Sequence, residues 1–117
     1  MPEVGGSVSE ERIERIEIPL TQGGLNNNYV SLREYLYFFP EAAIGPANAR
    51  RDGQGALLTL RFEGLLKPVE TDIAGNHMIF RRRSPWGRFF AHHGLRAGDK
   101  VAIEKRSDYE YRIIPLP

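Results

Sequence analysis

Two stretches of this chain gather side chains better suited to binding than to folding. Gln22, Asn26, Asn27 and Asn28, followed by Tyr29, Ser31 and Arg33, make an amide-rich run. Asp72, Asn76, His77, Arg81, Arg82 and Arg83 make a second run that is mostly basic. A side-chain amide can bond adenine at two atoms, an arginine fork can do the same to guanine, and a carboxylate accepts from the cytosine amino group. Arginine and serine on phosphate oxygens set the register without reading sequence. Arg88 is a further phosphate candidate. Each group alone has an ordinary explanation, since asparagine favours turns and surface arginines are solvated. Together, on a small β scaffold, they point to nucleic acid.

Other chemistry finds little support. The chain has no cysteine, which rules out disulfides and thiolate metal sites. His92 and His93 are adjacent in a helical run, so they should point to different sides of it, a poor start for one metal. No serine, histidine and acid stand at a recognisable catalytic spacing. Gly23-Gly24 lacks the glycine and lysine context of a phosphate-binding loop. The expectation is a non-catalytic chain without metal or cofactor.

The elements that must present these residues follow from periodicity. Val69–Ala74 and His77–Arg83 are strand-like runs separated by Gly75-Asn76, which reads as a two-residue hairpin turn. In that register Ile73 faces Met78 and Thr71 faces Phe80 on one side, while Asp72 faces Ile79 and Glu70 faces Arg81 on a charged, available side. Next, Ser84 suits an N-cap, Pro85 the first helical position and Gly94 the left-handed position after the helix. Between them Trp86, Phe89, Phe90 and His93 recur at helical spacing as one apolar stripe. Packed on a sheet, that helix would fix how the three arginines before it are aimed.

Elsewhere, residues 13–20 alternate as a strand that Pro19 places at a sheet edge. Residues 21–29 read as a loop and Tyr29–Leu32 as a short strand. Arg33–Gly45 reads as an apolar corner with one helical turn at Glu41–Ala43, and Pro46–Gly55 as a polar loop. Ala56–Glu63, Lys100–Lys105 and a last run with Tyr109, Tyr111 and Ile113 inward complete the strands. Seven short strands and two short helices are the arithmetic of a closed or nearly closed barrel, and the fold expected is mainly β, a seven-stranded open barrel.

A length of 117 residues suits one domain, here 13–117 after a frayed leader at 1–12. No apolar run approaches the roughly 18 residues of a membrane span, and no basic-then-apolar signal opens the chain, so a cytoplasmic protein is expected. The net charge is only +1, yet it is unevenly spread. Residues 1–20 hold five acids against two arginines, giving −3. Residues 76–106 hold eight bases against two acids, giving +6. That half has the polarity of a surface that meets phosphates.

The combination of Trp86-x-x-Phe89, Leu95-x-x-Gly98-Asp99-x-Val101 and the preceding basic hairpin resembles the B3-type DNA-binding domain over residues 13–115. Plant B3 transcription factors and the recognition domains of type II restriction endonucleases of the EcoRII, BfiI and NgoAVII types share that pseudobarrel. The restriction-enzyme branch is the nearer likeness. The resemblance implies sequence-specific double-stranded DNA binding in the major groove by two arms, here 21–33 and 69–83. It further implies a separate nuclease domain in the full-length protein and a bacterial cytoplasmic setting. Only the scaffold residues Trp86, Phe89, Leu95, Gly98, Asp99 and Val101 carry over from the family. The arm residues stand on their own chemistry. Two other readings remain: a single-stranded nucleic-acid barrel stacking bases on Tyr29, Tyr35, Tyr109 and Tyr111, and a protein-interaction module using the Tyr35–Phe39 patch.

Overall fold

A computed structural model describes residues 13–46 and 55–117. The expected leader and most of the expected Pro46–Gly55 loop lie outside the described residues. The fold is mainly β, with two α-helices and two sheets. In chain order the elements are β1 (Arg15–Pro19), α1 (Gln22–Asn27), β2 (Ile44–Gly45), β3 (Leu58–Phe62), β4 (Val69–Thr71), β5 (Ile73–Ala74), β6 (Ile79–Phe80), α2 (Ser84–His93), β7 (Lys100–Ser107) and β8 (Glu110–Leu116). Single 3-10 turns at Leu36–Phe38 and Glu41–Ala43 shape the apolar corner, one turn more than expected.

The larger sheet runs β1-β7-β8-β3-β4 and the smaller β2-β5-β6. Of these strand pairs, β3–β8 and β2–β5 are parallel and the others antiparallel. β1 is an edge strand, as the missing N–H of Pro19 requires. The two sheets are joined through β4 and β5, a single extended run interrupted at Asp72. There the Thr71 hydroxyl takes over the ladder. It donates to the Asp72 carbonyl at 2.9 Å and accepts the Arg82 N–H at 2.9 Å.

Alternation sets the core as anticipated. Leu58, Leu60 and Phe62 are buried while Arg61 faces water. Trp86, Phe89 and Phe90 are buried on the helical stripe. The Trp86 ring stacks on Phe80 (5.5 Å between centroids, 17° between planes) and meets Phe62 edge-on at 4.9 Å. Each such buried ring contributes roughly 1.5–3 kcal/mol. That outweighs the Trp86 indole N–H, which has no partner among the described residues. Gly94 takes the expected left-handed position. In the Leu95-x-x-Gly98-Asp99 turn, Asp99 Oδ2 accepts the Arg96 N–H at 2.8 Å, and the Asp99 carbonyl accepts from Leu20, which seats β7 beside β1.

Several expectations are corrected. Among the described residues eight strands lie in two sheets rather than seven in one barrel, and the sheets do not close. The hairpin turn has four residues, not two. Ile73 pairs with Phe80 and Ala74 with Ile79, because Met78 turns left-handed (φ 57°) and its N–H reaches back to the Ala74 carbonyl at 2.8 Å. The slip is even, so Ile73 and Phe80 keep their inward face. Residues 22–27 are helical, and Tyr29–Leu32 forms no strand. Ser84 is inside the helix and Arg83 takes the capping position, without a side-chain cap. Tyr109 sits exposed at the β7–β8 turn. The rings of His92 and His93 meet edge to face at 4.7 Å rather than diverging.

Tyr111 generates a test of this core. Its hydroxyl is fully buried and donates to the Asp108 carbonyl at 2.7 Å. Burial pushes its pKa well above the ordinary value, and the Asp108 charge adds to the shift. The folded chain therefore keeps a proton that the unfolded chain gives up above about pH 10. The contribution is complete below that pH and is lost above it, at about 1.4 kcal/mol per pH unit until the folded group ionises. Chemical denaturation at pH 9, 10 and 11 should show this loss in the parent. Tyr111→Phe should flatten it while costing about 1 kcal/mol at neutral pH. Parallel alkaline losses in both proteins would contradict the assignment.

Candidate nucleic-acid interface

The first arm is a capped helix. Thr21 Oγ1 accepts the Gly24 N–H at 3.0 Å, and Asn28 ends the helix in the left-handed conformation (φ 62°). Gly24 is buried so closely that a Cβ would meet the Tyr29 carbonyl. That close approach explains a glycine in a helix. On the exposed side the amides satisfy one another locally: Gln22 Nε2 donates to Asn26 Oδ1 at 2.9 Å, and Asn27 Nδ2 to the Gly23 carbonyl at 3.0 Å. The Asn28 side chain rests against Gly87 of α2. These four amides are thus carried on α1 and its cap rather than on a loop.

The second arm divides its charges. Asp72, expected on an available face, is fully buried. Its carboxylate accepts from Arg81 at two points, Nε at 2.7 Å and Nη2 at 2.9 Å, and from the Gly55 N–H at 2.8 Å. Arg81 Nη2 also reaches the Pro46 carbonyl at 2.8 Å. The reason is local: where β2 pairs beside β5, Gly45, Pro46 and Gly55 close around that carboxylate and its arginine. A Cβ at Gly45 would collide with the Asp72 carboxylate, so only glycine lets β2 approach so closely. The expected Glu70–Arg81 pair is therefore replaced by Asp72–Arg81, and Glu70 lies opposite Thr59. Asp72 holds the guanidinium protonated, so the Arg81 pKa is raised by their hydrogen bonds. Both residues are committed to the scaffold.

What remains converges. Tyr29, Ser31 and Arg33 from the first arm and His77 and Arg83 from the second line one cleft of about 440 Å³. Thr21 and Ile79, which the residue types alone did not single out, complete it. The lining holds two arginines and a histidine and no carboxylate. Neither Arg33 nor Arg83 makes an ion pair among the described residues. The arms are joined where the Leu32 N–H donates to the Met78 carbonyl at 2.8 Å. Asn76 and Arg82, next in sequence to His77 and Arg83, are exposed and do not line the cleft. Arg88 lies in a separate hollow with Leu66 and Lys67.

The other binding surfaces lose parts. Tyr111 is buried and cannot stack on a base, and Phe38 and Phe39 lie in the core, which leaves Tyr37 as the exposed ring of its patch. Among the described residues no three His, Cys, Asp or Glu side chains gather as a metal set, and no helix is long and apolar enough to cross a membrane. No family model, curated protein or solved structure matches the chain.

This division of arginines is measurable by urea denaturation. Arg81→Ala strands a buried carboxylate and should cost about 3–5 kcal/mol. Arg83→Ala, at an exposed position, should change stability by no more than about 0.5 kcal/mol. Similar losses for both would show that Arg81 is not the structural one.

Proposed function

We propose that this domain binds double-stranded DNA in a sequence-specific way, with residues 21–33 and 69–83 as its two contact arms. One observation carries the reading: donors from both arms line a single cleft that holds Arg33, Arg83 and His77 and no carboxylate. A stable fold has no use for gathering unpaired cations, because like charges repel. A phosphate backbone supplies the missing charge. The exposed Asn76 and Arg82 are free to reach base edges while the cleft cations hold phosphate.

The β framework supports the same reading in its finer form. Counting 69–74 as one strand broken at Asp72 gives seven strands around the aromatic core, and we take this as the open pseudobarrel of B3-type domains. The proposal extends to a recognition domain whose cleavage centre lies in another domain of a bacterial restriction endonuclease.

Selection from a randomised duplex library at two salt concentrations, with sequencing of the retained DNA, tests the proposal. Enrichment of a short motif that survives the higher salt is expected. On the enriched site Arg33→Ala and Arg83→Ala should each lower the salt slope by about one. Asn76→Ala should lose about 1–3 kcal/mol on the enriched site and little on random DNA. Retention without enrichment would reduce the domain to a basic surface, and no retention would end the DNA reading.

A further inference from the structure

The cleft of about 440 Å³ opens against a second hollow of about 190 Å³, and the two share Thr21, Ser31 and Arg33 as their common wall. The larger is within the roughly 300–1,000 Å³ of small-molecule sites. The smaller slightly exceeds the roughly 150 Å³ of a cavity that holds one benzene ring. It has room for one six-membered ring.

The two hollows differ in chemistry. The smaller is walled by Ile18, Pro19 and the Tyr35 ring. That ring is held in place because its hydroxyl donates to the Glu17 carbonyl at 3.2 Å. Glu34 also lines this hollow, and its carboxylate makes no hydrogen bond or ion pair among the described residues. A carboxylate accepts from the exocyclic amino group of cytosine and repels the carbonyl that uracil or thymine carries there. The larger hollow supplies the cations, with Arg33 lining both.

We propose that the paired hollows receive one cytosine nucleotide. Its base lies against Tyr35, Pro19 and Ile18 with its amino group on Glu34, and its phosphate meets Arg33, Arg83 and His77. The inference rests on the DNA reading to the extent that the nucleotide is one swung out of a duplex, as proteins do when they inspect a base outside the stack. A free nucleotide offers the same chemistry, and the experiment separates the two sources.

In the first arm, deoxycytidine monophosphate is titrated into the full isotope-labelled chain and followed by NMR. Saturable shifts at Arg33, Glu34, Tyr35 and His77 are expected, with binding at least tenfold tighter than for deoxyuridine monophosphate. Glu34→Gln, at an exposed position, should erase that preference without unfolding the chain. In the second arm, each cytosine of a duplex retained in the library selection is replaced in turn by a fluorescent analogue that brightens when unstacked. Brightening of several-fold at one position is expected on binding, together with about tenfold tighter binding when that position is mismatched. Nucleotide shifts without duplex binding would support the pocket while ending the DNA reading. Nucleotide shifts with a duplex bound and fully stacked would assign the pocket to the free nucleotide. A bound duplex with no unstacked position, together with no nucleotide shifts at these residues, would overturn the pocket and leave the DNA reading standing.

Discussion

The buried carboxylate of Asp72 is the constraint from which the rest of the structure follows. Leaving water costs an ion several kcal/mol unless it is paired and hydrogen-bonded. Asp72 meets that condition with a forked contact to Arg81 and the Gly55 N–H. Because Arg81 also takes the Pro46 carbonyl, both ends of segment 46–55 are tied to one ion pair. The pair sits where the 69–74 run leaves the larger sheet and joins the smaller one. It therefore fixes β2 beside β5, and through β5 the register of β6 and the arginines that follow.

The three consecutive arginines then separate by position alone. Just past the end of β6, Arg81 is half-buried on Asp72 while Arg82 and Arg83 are exposed. Arg83 caps a helix whose Trp86, Phe89 and Phe90 are locked in the core, so its backbone is held by aromatic packing one turn away. Elsewhere on the sheet the charges are neutralised in exposed pairs, among them Arg112 with Glu63 and Arg15 with Glu104, each worth about 0–1 kcal/mol. The cleft is the contrast. Its cations have no such partners among the described residues, which is the arrangement a bound anion would reward.

Much of this could be read from the sequence, and the failures have definite physical causes. Period-two alternation gave β3 and the inward faces of β1, β7 and β8, and helical spacing gave the Trp86 stripe. The turn length failed because nothing in the residue type of Met78 announces a left-handed backbone. Helix α1 failed because Gly23-Gly24 argues against a helix, whereas its reason is the close approach of the Tyr29 carbonyl. Asp72 and Arg81 failed as available residues because their cover comes from Gly45, Pro46 and Gly55, distant in sequence, where β2 pairs beside β5. In the cleft, Tyr29, Ser31, Arg33, His77 and Arg83 were anticipated by type. Thr21 and Ile79 were not, since a cap and an outward strand residue carry no chemical signature. Glu34 was passed over although it is a carboxylate and stands between Arg33 and Tyr35, because nothing in its spacing placed it in a hollow.

The hydrogen bond from Leu32 to Met78 ties the two sides of the site together. A left-handed methionine costs about 1–2 kcal/mol. Such a conformation persists only where its surroundings over-determine it. Here two backbone bonds do so: the Met78 N–H to Ala74 within its own turn, and the Met78 carbonyl to Leu32 across to the other arm. The second is available only because the turn has four residues, which puts the Met78 carbonyl opposite the Leu32 N–H. The unexpected turn and the shared cleft are thus one feature, in which local strain holds two sequence-distant arms at a fixed separation. A ligand entering between them does not have to order the arms first, and its contacts are not spent on closing loops.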